Sequence, residues 1–484
     1  MLISFLKKHW GLLLVLPFFL AFFFAPYYKG LNSDHAIHAL MADYFLFKKN
    51  LYYWGQDRLG SLIPMVAAPF QNLGMSSIWA AACSQLLLVL ATYYFFQKHF
   101  SKAIFKGSLA LVLLLPVYPF LMQTMIGHPY LAQLFFTGAY LTLPISQKLA
   151  GRWQALLLPL LMAGAVWSSE LALVGIIAFG IAYYKYWWPL LKKHYLFFMV
   201  GLALGVGFLY YAKITAYQQA VYQQKIASLP EIYQTLSYYS NQFWQVLTLD
   251  TNKIYNSVLV YVLMINFIAL FSLFSIKKLL QNRVFTFALL TAIGTTAAVI
   301  ISHWVVFMNY PYNYFIPAYF FLIIALISGW QSYIPKIGIV KRCWLILFPV
   351  SYIIAHIVAC MWFINTQPLK VNGRIDKFQA TTLVKQLEGE SLKGIGLLGT
   401  YWNAYLIDAF SSQILGMPCE GYEVRSFQYY YEVFERPVVF LRNGCVPELS
   451  DTIYQHKQTL LKVSPVYRLD TLEYAYYKSI GNSL

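Results

Sequence analysis

The chain has 484 residues, of which 60% are hydrophobic and 11% charged, where a soluble domain carries about 25% charged residues. So apolar a chain cannot cover its own surface in water, which excludes an ordinary soluble globular protein. The formal charge is +17, yet the Lys and Arg residues sit in short clusters between apolar segments. That is the pattern of cytoplasmic loops under the positive-inside rule, and no basic stripe of a nucleic-acid-binding protein is present. Aromatics reach 19%, with 40 Tyr and 13 Trp, residues that favour the membrane–water boundary.

The first apolar stretch, about 10–26, runs from Trp10 to Ala25 behind Lys7 and Lys8. Pro26, Tyr27, Tyr28 and Lys29 follow it, with no small-x-small cleavage site, so it reads as a retained helix and not a secretory leader. Lys7 and Lys8 put the N-terminus in the cytoplasm. The chain then leaves into a long external loop over about 27–75, and a second helix, about 76–97, returns it to Lys98, Lys102 and Lys106. A pair at about 108–125 and 131–147 returns to Lys148 and Arg152. Another pair fills about 153–188 and returns to Lys185, Lys192 and Lys193, at about 18 residues per span. A seventh helix, about 195–211, leads out to a second long loop over about 212–255. The eighth, about 256–276, returns to Lys277, Lys278 and Arg283. The ninth and tenth, about 284–304 and 313–330, return to Lys336, Lys341 and Arg342, and an eleventh, about 343–364, leads out. Every even-numbered helix lands on a basic cluster. The expected architecture is a polytopic α-helical membrane protein of about eleven helices, N-terminus inside and C-terminus outside.

From about residue 366 the character changes. Pro368, Asn372 and Gly373 open a mixed charged and apolar region in which the alternating stretches Gly394–Leu398 and Pro437–Leu441 read as strands and Phe378–Leu387 as a helix. The expected domains are a membrane module over 1–365 and a small extracytoplasmic α/β domain over 366–484. If the chain is bacterial, Cys419 and Cys445 would lie in an oxidising compartment, either as a disulfide or as two free thiols. Cys83, Cys343 and Cys360 fall in apolar helices and read as core residues. The sequence has no C-x-x-C pair, no H-E-x-x-H and no Walker-type glycine loop, which leaves nucleotide-driven transport without support.

Asn32-Ser33-Asp34-His35 follows the first helix directly, and Ile37, Leu40, Met41, Tyr44 and Phe45 then recur at helical spacing. That stripe predicts an amphipathic helix in the interface plane, with Asp34 at its start and at headgroup depth. A carboxylate there reaches both a lipid-borne sugar and a water-borne acceptor. The plainer reading is that Ser33 or Asp34 only caps the helix and complements its dipole.

The stretch Asn32-Ser33-Asp34-His35-Ala36-Ile37, then Trp54-Gly55-Gln56, Gly60-Ser61-Leu62 and Ala67-Ala68-Pro69-Phe70, resembles the first external loop of GT-C superfamily glycosyltransferases. The resemblance is to bacterial members related to protein mannosyltransferases and lipid A aminoarabinose transferases. Tyr314-Phe315-Ile316-Pro317 resembles a Tyr-Leu-Leu-Pro-like string of a late helix in that family. Tyr401-Trp402-Asn403-Ala404-Tyr405 resembles a Tyr-Trp-x-x-Tyr string near the end of such chains. The matches are patchy but collinear over most of the chain. The resemblance implies inverting transfer of a sugar from a polyprenyl-phosphate carrier to a hydroxyl or amine, at the outer face of a bacterial inner membrane. It implies Asp34 as general base. The partners are then the polyprenyl-phosphate sugar donor, an acceptor that is a glycan, lipid or protein, and membrane lipids, with no nucleic acid.

The departing phosphate needs positive charge or donors. Arg58 is the first candidate, because it shares the loop and offers a forked donor; a headgroup anchor is its alternative. Lys213 and His303, at the outer ends of other helices, are further candidates, as are Gln56 and His35 in the loop. Asp57 can pair with Arg58 or touch substrate. Glu170, in an apolar run after Trp167, is an ionisable group in a membrane segment and so a functional candidate, unless it lies at a helix end. The chain departs from the family where an acid often follows the Asp, here His35, and where Glu often follows Gly-Ser-Leu, here Ile63. The loop Gly127-His128-Pro129-Tyr130 has no carboxylate. A divalent-cation site is therefore poorly supported, although His35 and His38 could bind a cation. The rival readings are a flippase or transporter of lipid-linked glycans, which should show internal repeats or broken helices at the midplane, and a catalytically silent scaffold.

Overall fold

The computed structural model describes Leu13 and residues 33–45, 51–114, 129–146, 148–216, 226–248, 254–333, 350–351, 354–355, 375, 377–389, 394–421, 424–425 and 429–482. Most of the expected first and eleventh spans, part of the pair at 108–125, the Gly127-His128 loop, Lys336, Lys341, Arg342, Cys343 and Cys360 lie outside the described residues. The chain divides into two compact units, one of residues 1–23, 86–211 and 221–367, the other of 24–85, 212–220 and 368–484. The first-loop segment groups with the C-terminal residues, because the two bury their apolar side chains in one core.

The first unit is helical. Among the described residues of the chain, Ser77–His99, Tyr195–Ile214 and Arg283–Ile300 are long and apolar enough to cross a membrane. Shorter apolar helices cover Tyr130–Ile145, Ala172–Ala182, Val260–Ser272 and Ile316–Ser332. The protein is an integral membrane protein. Apolar runs form helices here because no water is present to satisfy the backbone, so each N–H must bond within its own segment. Arg283–Ile300 starts at Asn282, whose side chain accepts from the N–H groups of Val284 and Phe285, and it packs on Ile316–Tyr333 and Ala172–Ala182. In Tyr195–Ile214 a Cβ on Gly201 would sit 2.2 Å from the Leu156 carbonyl oxygen, and one on Gly205 2.8 Å from the Ala163 Cβ. This Gly-x-x-x-Gly face lets the backbone approach Gly151–Ser168 closely.

Two expectations change. The pair expected over 153–188 is Gly151–Ser168 followed by the 11-residue Ala172–Ala182 and then Tyr184–Lys193. Eleven residues rise only about 17 Å, short of the roughly 30 Å hydrocarbon layer. The loop expected over 212–255 contains a 19-residue helix, Leu229–Leu247, opened by a capping box of Ser228 and Glu231.

The second unit is built on a mixed sheet. Its helices are α1 (Ser33–Asp43), α2 (Leu62–Asn72), α3 (Lys377–Gly389), α4 (Tyr401–Asp408) and α5 (Glu432–Glu435). Its strands are β1 (Ile395–Gly399), β2 (Ile414–Pro418), β3 (Val438–Leu441), β4 (Thr452–Gln455), β5 (Gln458–Lys462), β6 (Tyr467–Leu469) and β7 (Leu472–Asn482). The order is β2-β1-β3-β7-β5-β4, with β6 also on β7. β1 runs parallel to β2 and β3, and the remaining pairs are antiparallel. β1, β2 and β3 are buried at every position, as expected of continuous apolar strands covered on both faces. The helix expected over 378–387 and the strands at 394–398 and 437–441 coincide with α3, β1 and β3 to within a few residues. Cys419, just past β2, is bonded to Cys445, with their Cα atoms 5.9 Å apart.

α1 is not an interfacial helix. Ala36, Ile37, Ala39, Leu40, Met41 and Ala42 are each at most 3% exposed, which leaves no apolar face for lipid. Ala36, Ile37, Leu40 and Met41 join Tyr53 and Trp54 of the first loop in one core with Leu398, Tyr401, Leu415 and Phe440 of the C-terminal sheet. Of the stripe read in sequence, Ile37, Leu40 and Met41 are buried by tertiary packing, while Tyr44, just past the helix, is 38% exposed.

α4 lies tight on β2. A Cβ on Gly416 would stand 2.3 Å from the Ala404 carbonyl oxygen and 3.0 Å from the Asp408 Cβ, and backbone cannot yield cheaply there. Gly416→Ala is expected to destabilise the second unit by about 1–3 kcal/mol, read as a lowered thermal unfolding midpoint of the detergent-solubilised chain.

Candidate functional site

The site grows from the N-terminal turn of α1. Asp34 lies in that turn, where a carboxylate complements the positive end of the helix dipole, and its side chain is exposed within the unit. Its Oδ1 accepts a hydrogen bond of 2.7 Å from the hydroxyl of Tyr401, the first residue of α4. Burial, then the Asp34 charge, hold the Tyr401 phenol well above its ordinary range, so it remains a donor. Burial and the same charge raise the Tyr53 phenol. Arg425 opposes that shift in both tyrosines. Its guanidinium donates to the Gly55 carbonyl at 3.4 Å, and its backbone N–H donates to the Tyr405 hydroxyl at 2.5 Å. The Tyr-Trp-x-x-Tyr string is therefore a junction: Tyr401 holds Asp34, Tyr405 holds residue 425, and Asn403 Oδ1 accepts from the Ile375 N–H at 3.1 Å.

Between α1 and α2 the chain folds into a tight hairpin. Tyr52 bridges Gly60, Tyr53 N–H donates to the Leu59 carbonyl at 2.9 Å, and Gln56 N–H donates to the Tyr53 carbonyl at 3.0 Å. Leu59 takes φ of +63°, a left-handed conformation uncommon for a side chain of its size. Gln56, Asp57 and Arg58 sit at the turn, each half-buried. Asp57 pairs with Lys213 at 2.6 Å, so two residues separately suspected of touching substrate are brought together. The Gln56 Oε1 and Trp54 Nε1 atoms are buried with no hydrogen-bond partner among the described residues. Buried polar atoms of this kind are uncommon and call for an explanation.

The remaining expected residues fall elsewhere. His35 is buried in the first turn of α1 at 7% exposure, not presented as a surface ligand. Glu170 is exposed at the break between Gly151–Ser168 and Ala172–Ala182, a helix end and not mid-span. His303 belongs to the first unit, where its Nδ1 lies 2.7 Å from Glu231 Oε1. Hydrogen bonds from Ser228, then His303, hold the Glu231 carboxyl below its ordinary range. Among the described residues no three His, Cys, Asp or Glu side chains cluster in a way that could hold a metal ion. Sequence reasoning missed Arg425: it stands 370 positions from the carbonyl it contacts, and a lone Arg in a mixed stretch carries no local signal.

At the far end of α4, Asp408 Oδ2 accepts from Gly416 N–H and from the Tyr429 hydroxyl, both at 2.8 Å. The Tyr429 ring in turn packs against Tyr44 and Trp54, with centroids at 5.4 and 6.2 Å. Asp408 thus ties the helix that presents Tyr401 to β2 and, through Tyr429, to the first-loop aromatics.

No protein-family model matches the chain, and no curated protein matches it. Solved structures do. ArnT from Cupriavidus metallidurans in the apo state aligns with a TM-score of 0.54 at 11% identity, over 96% of this chain and 97% of that one. The same ArnT bound to undecaprenyl phosphate aligns with a TM-score of 0.53 at 11% identity, over the same shares. The oligosaccharyltransferase AglB from Archaeoglobus fulgidus, in complex with an inhibitory peptide and a dolichol-phosphate, reaches a TM-score of 0.48 at 12% identity, over 90% of this chain and 70% of that one. At such identity the likeness to ArnT is one of fold, along nearly the full length of both chains.

Burial pushes the Asp408 carboxyl up to about 8, against the opposing pull of the Gly416 and Tyr429 hydrogen bonds. In the unfolded chain the group loses its proton near its ordinary value, so between roughly pH 4 and 8 the folded state holds a proton that the unfolded state has released. Stability contributed by this group therefore falls as pH rises across that window and is level above it. Asp408→Asn keeps an acceptor oxygen for both donors and removes the titration. The variant should lose the downward slope that Asp408 adds, seen by comparing unfolding midpoints of the two proteins from pH 4 to pH 8.

Proposed function

We propose that this chain, an integral membrane protein with the GT-C fold, is an inverting glycosyltransferase that moves a sugar from a polyprenyl-phosphate carrier to an acceptor hydroxyl or amine, with Asp34 as general base. The observation that carries the proposal is the Asp34 carboxylate itself, exposed at a helix N-terminus and oriented by a 2.7 Å hydrogen bond from Tyr401. A base held in one orientation is what an acceptor proton in flight requires. Support for the class of donor comes from the fold shared with ArnT, which has been solved with undecaprenyl phosphate bound.

In the proposed reaction the acceptor oxygen or nitrogen attacks the anomeric carbon on the face opposite the phosphate. The new bond to the acceptor forms as the bond from that carbon to the phosphate oxygen breaks, and the electron pair leaves with the phosphate. The acceptor proton passes to the Asp34 carboxylate. The products are an inverted glycoside and polyprenyl phosphate. Charge grows on the leaving phosphate, and Arg58, half-buried at the hairpin turn, is the residue proposed to meet it with a forked donor. Lys213 is proposed to act there jointly with Asp57, its ion-pair partner. Gln56 offers an amide to a substrate hydroxyl. His35, buried beside the base, is proposed to shape the site without touching the sugar.

The reaction is placed on the outer face of the membrane. The Cys419–Cys445 disulfide favours that side, since disulfides persist in oxidising compartments such as the bacterial periplasm.

Purified chain in liposomes, given radiolabelled undecaprenyl-phosphate sugars and a membrane extract as acceptor source, tests the proposal. Transfer of label should fall by about a hundredfold or more in Asp34→Asn, with donor binding retained. Unchanged transfer in that variant would remove Asp34 from the mechanism, and movement of label across the bilayer without a new glycosidic bond would favour a flippase. Arg58→Ala should lower kcat/KM for the donor by about tenfold or more.

A further inference from the structure

We infer that Tyr401, on the C-terminal domain, is a positioning residue for the base: its hydroxyl fixes the orientation of Asp34 and helps to hold its carboxylate in the charged form. The inference rests on the proposed role of Asp34 and extends it by making the C-terminal α/β domain part of the reaction's machinery.

The geometry supports more than a packing role. Tyr401 reaches the carboxylate from another element of the fold, at a sequence separation of 367 residues. It is only 8% exposed, so its hydroxyl is largely shielded from competing water. It stands at the first position of α4, a helix pinned at its other end by the two hydrogen bonds to Asp408. Its phenol is held above its ordinary range and keeps its proton, so it donates and Asp34 accepts throughout the working pH range. Among the described residues, Tyr53 on the hairpin and Arg425 of the C-terminal domain act on this pair, and His35 is the residue next to Asp34 in α1. Tyr53 is itself raised by the Asp34 charge, so it remains neutral and adds no competing negative charge.

The sign of the effect follows. A hydrogen bond donated to a carboxylate favours its charged form and pulls its pKa down. Loss of the Tyr401 hydroxyl therefore raises the pKa of Asp34. Hydrogen bonds to charged groups are strong enough that the shift should be about one pH unit or more. Without that bond the carboxylate is held less closely in one orientation, and kcat should fall about tenfold, while KM for the prenyl donor stays near its original value.

Two measurements on the full chain test this. In the first, N,N′-dicyclohexylcarbodiimide, which attacks protonated carboxyls, is reacted across a pH series, and its adduct at Asp34 is quantified by mass spectrometry; no donor or acceptor is needed. The labelling midpoint should move up in Tyr401→Phe and stay in place in Tyr429→Phe, which removes the hydroxyl bonded to Asp408 and leaves Tyr401 intact. A midpoint unmoved in Tyr401→Phe, or moved equally in Tyr429→Phe, would overturn the inference. The second is the transfer assay, where Tyr401→Phe should lose kcat with KM kept and shift the acid limb of the pH profile upward. A shifted labelling midpoint with wild-type kcat and acid limb would also overturn it. Full transfer in Asp34→Asn sinks the base assignment itself, and the labelling result still decides whether Tyr401 governs the charge of Asp34.

Discussion

The second unit depends on the burial of α1 within a core that the C-terminal sheet completes. Eleven residues make a helix that is marginal by itself in water, and α1 has no lipid-facing stripe to stabilise it. Its order comes from packing Ala36, Ile37, Leu40 and Met41 against side chains such as Tyr401, Leu415 and Phe440. The residue proposed as the base therefore stands on an element packed against the end of the chain. A domain that reads in sequence as an appendage is the other half of the base's support.

The way Asp34 is held also bears on what it can do. A general base must be charged and must still accept a proton. Direct pairing with Lys or Arg would stabilise the carboxylate strongly and weaken it as a base. Asp57 is bound in that way by Lys213, which makes it a charge-balancing partner of that cation. Asp34 receives a hydrogen bond from a neutral phenol, with Arg425 acting on the neighbouring phenols. A bond from a neutral phenol orients a carboxylate with less loss of basicity than a cation's would bring.

The legible part of the fold was the part governed by local hydropathy. The expected helices at 195–211, 256–276 and 284–304 correspond to Tyr195–Ile214, Ile254–Leu273 and Arg283–Ile300, because an apolar run in a bilayer has little choice but to be helical. The strands at β1 and β3 were legible too, although they read as alternating stretches and are buried at every position. Leu229–Leu247 was not, since its Gln, Ser and Tyr content reads as a loop, although Ser228 and Glu231 spell a capping box. The burial of α1 was hidden because a period of 3.6 reports which residues share a face and not whether the opposite face is covered too. Asp34 was legible from its position after an apolar run and from the resemblance of its loop. Its partner Tyr401 stood inside a string already singled out, but nothing local joined the two.

Why Tyr401 can serve as a rigid support is answered by the two ends of α4. Its N-terminus follows β1 across Thr400, and the Gly399 carbonyl at that strand end accepts from Cys419 N–H at 2.7 Å, at the residue whose disulfide ties it to Cys445. Its C-terminus is fixed by Asp408 to Gly416 on β2, where the absence of a side chain lets the helix backbone come close. An eight-residue helix clamped at both ends to adjacent parallel strands has little freedom to tilt. Proton transfer penalises displacements of about an ångström severely, so bonds in the sheet help to meet the tolerance demanded of the proposed base. Changes at β2 that leave the base and its loop untouched should therefore reach the chemistry through the Tyr401 hydroxyl.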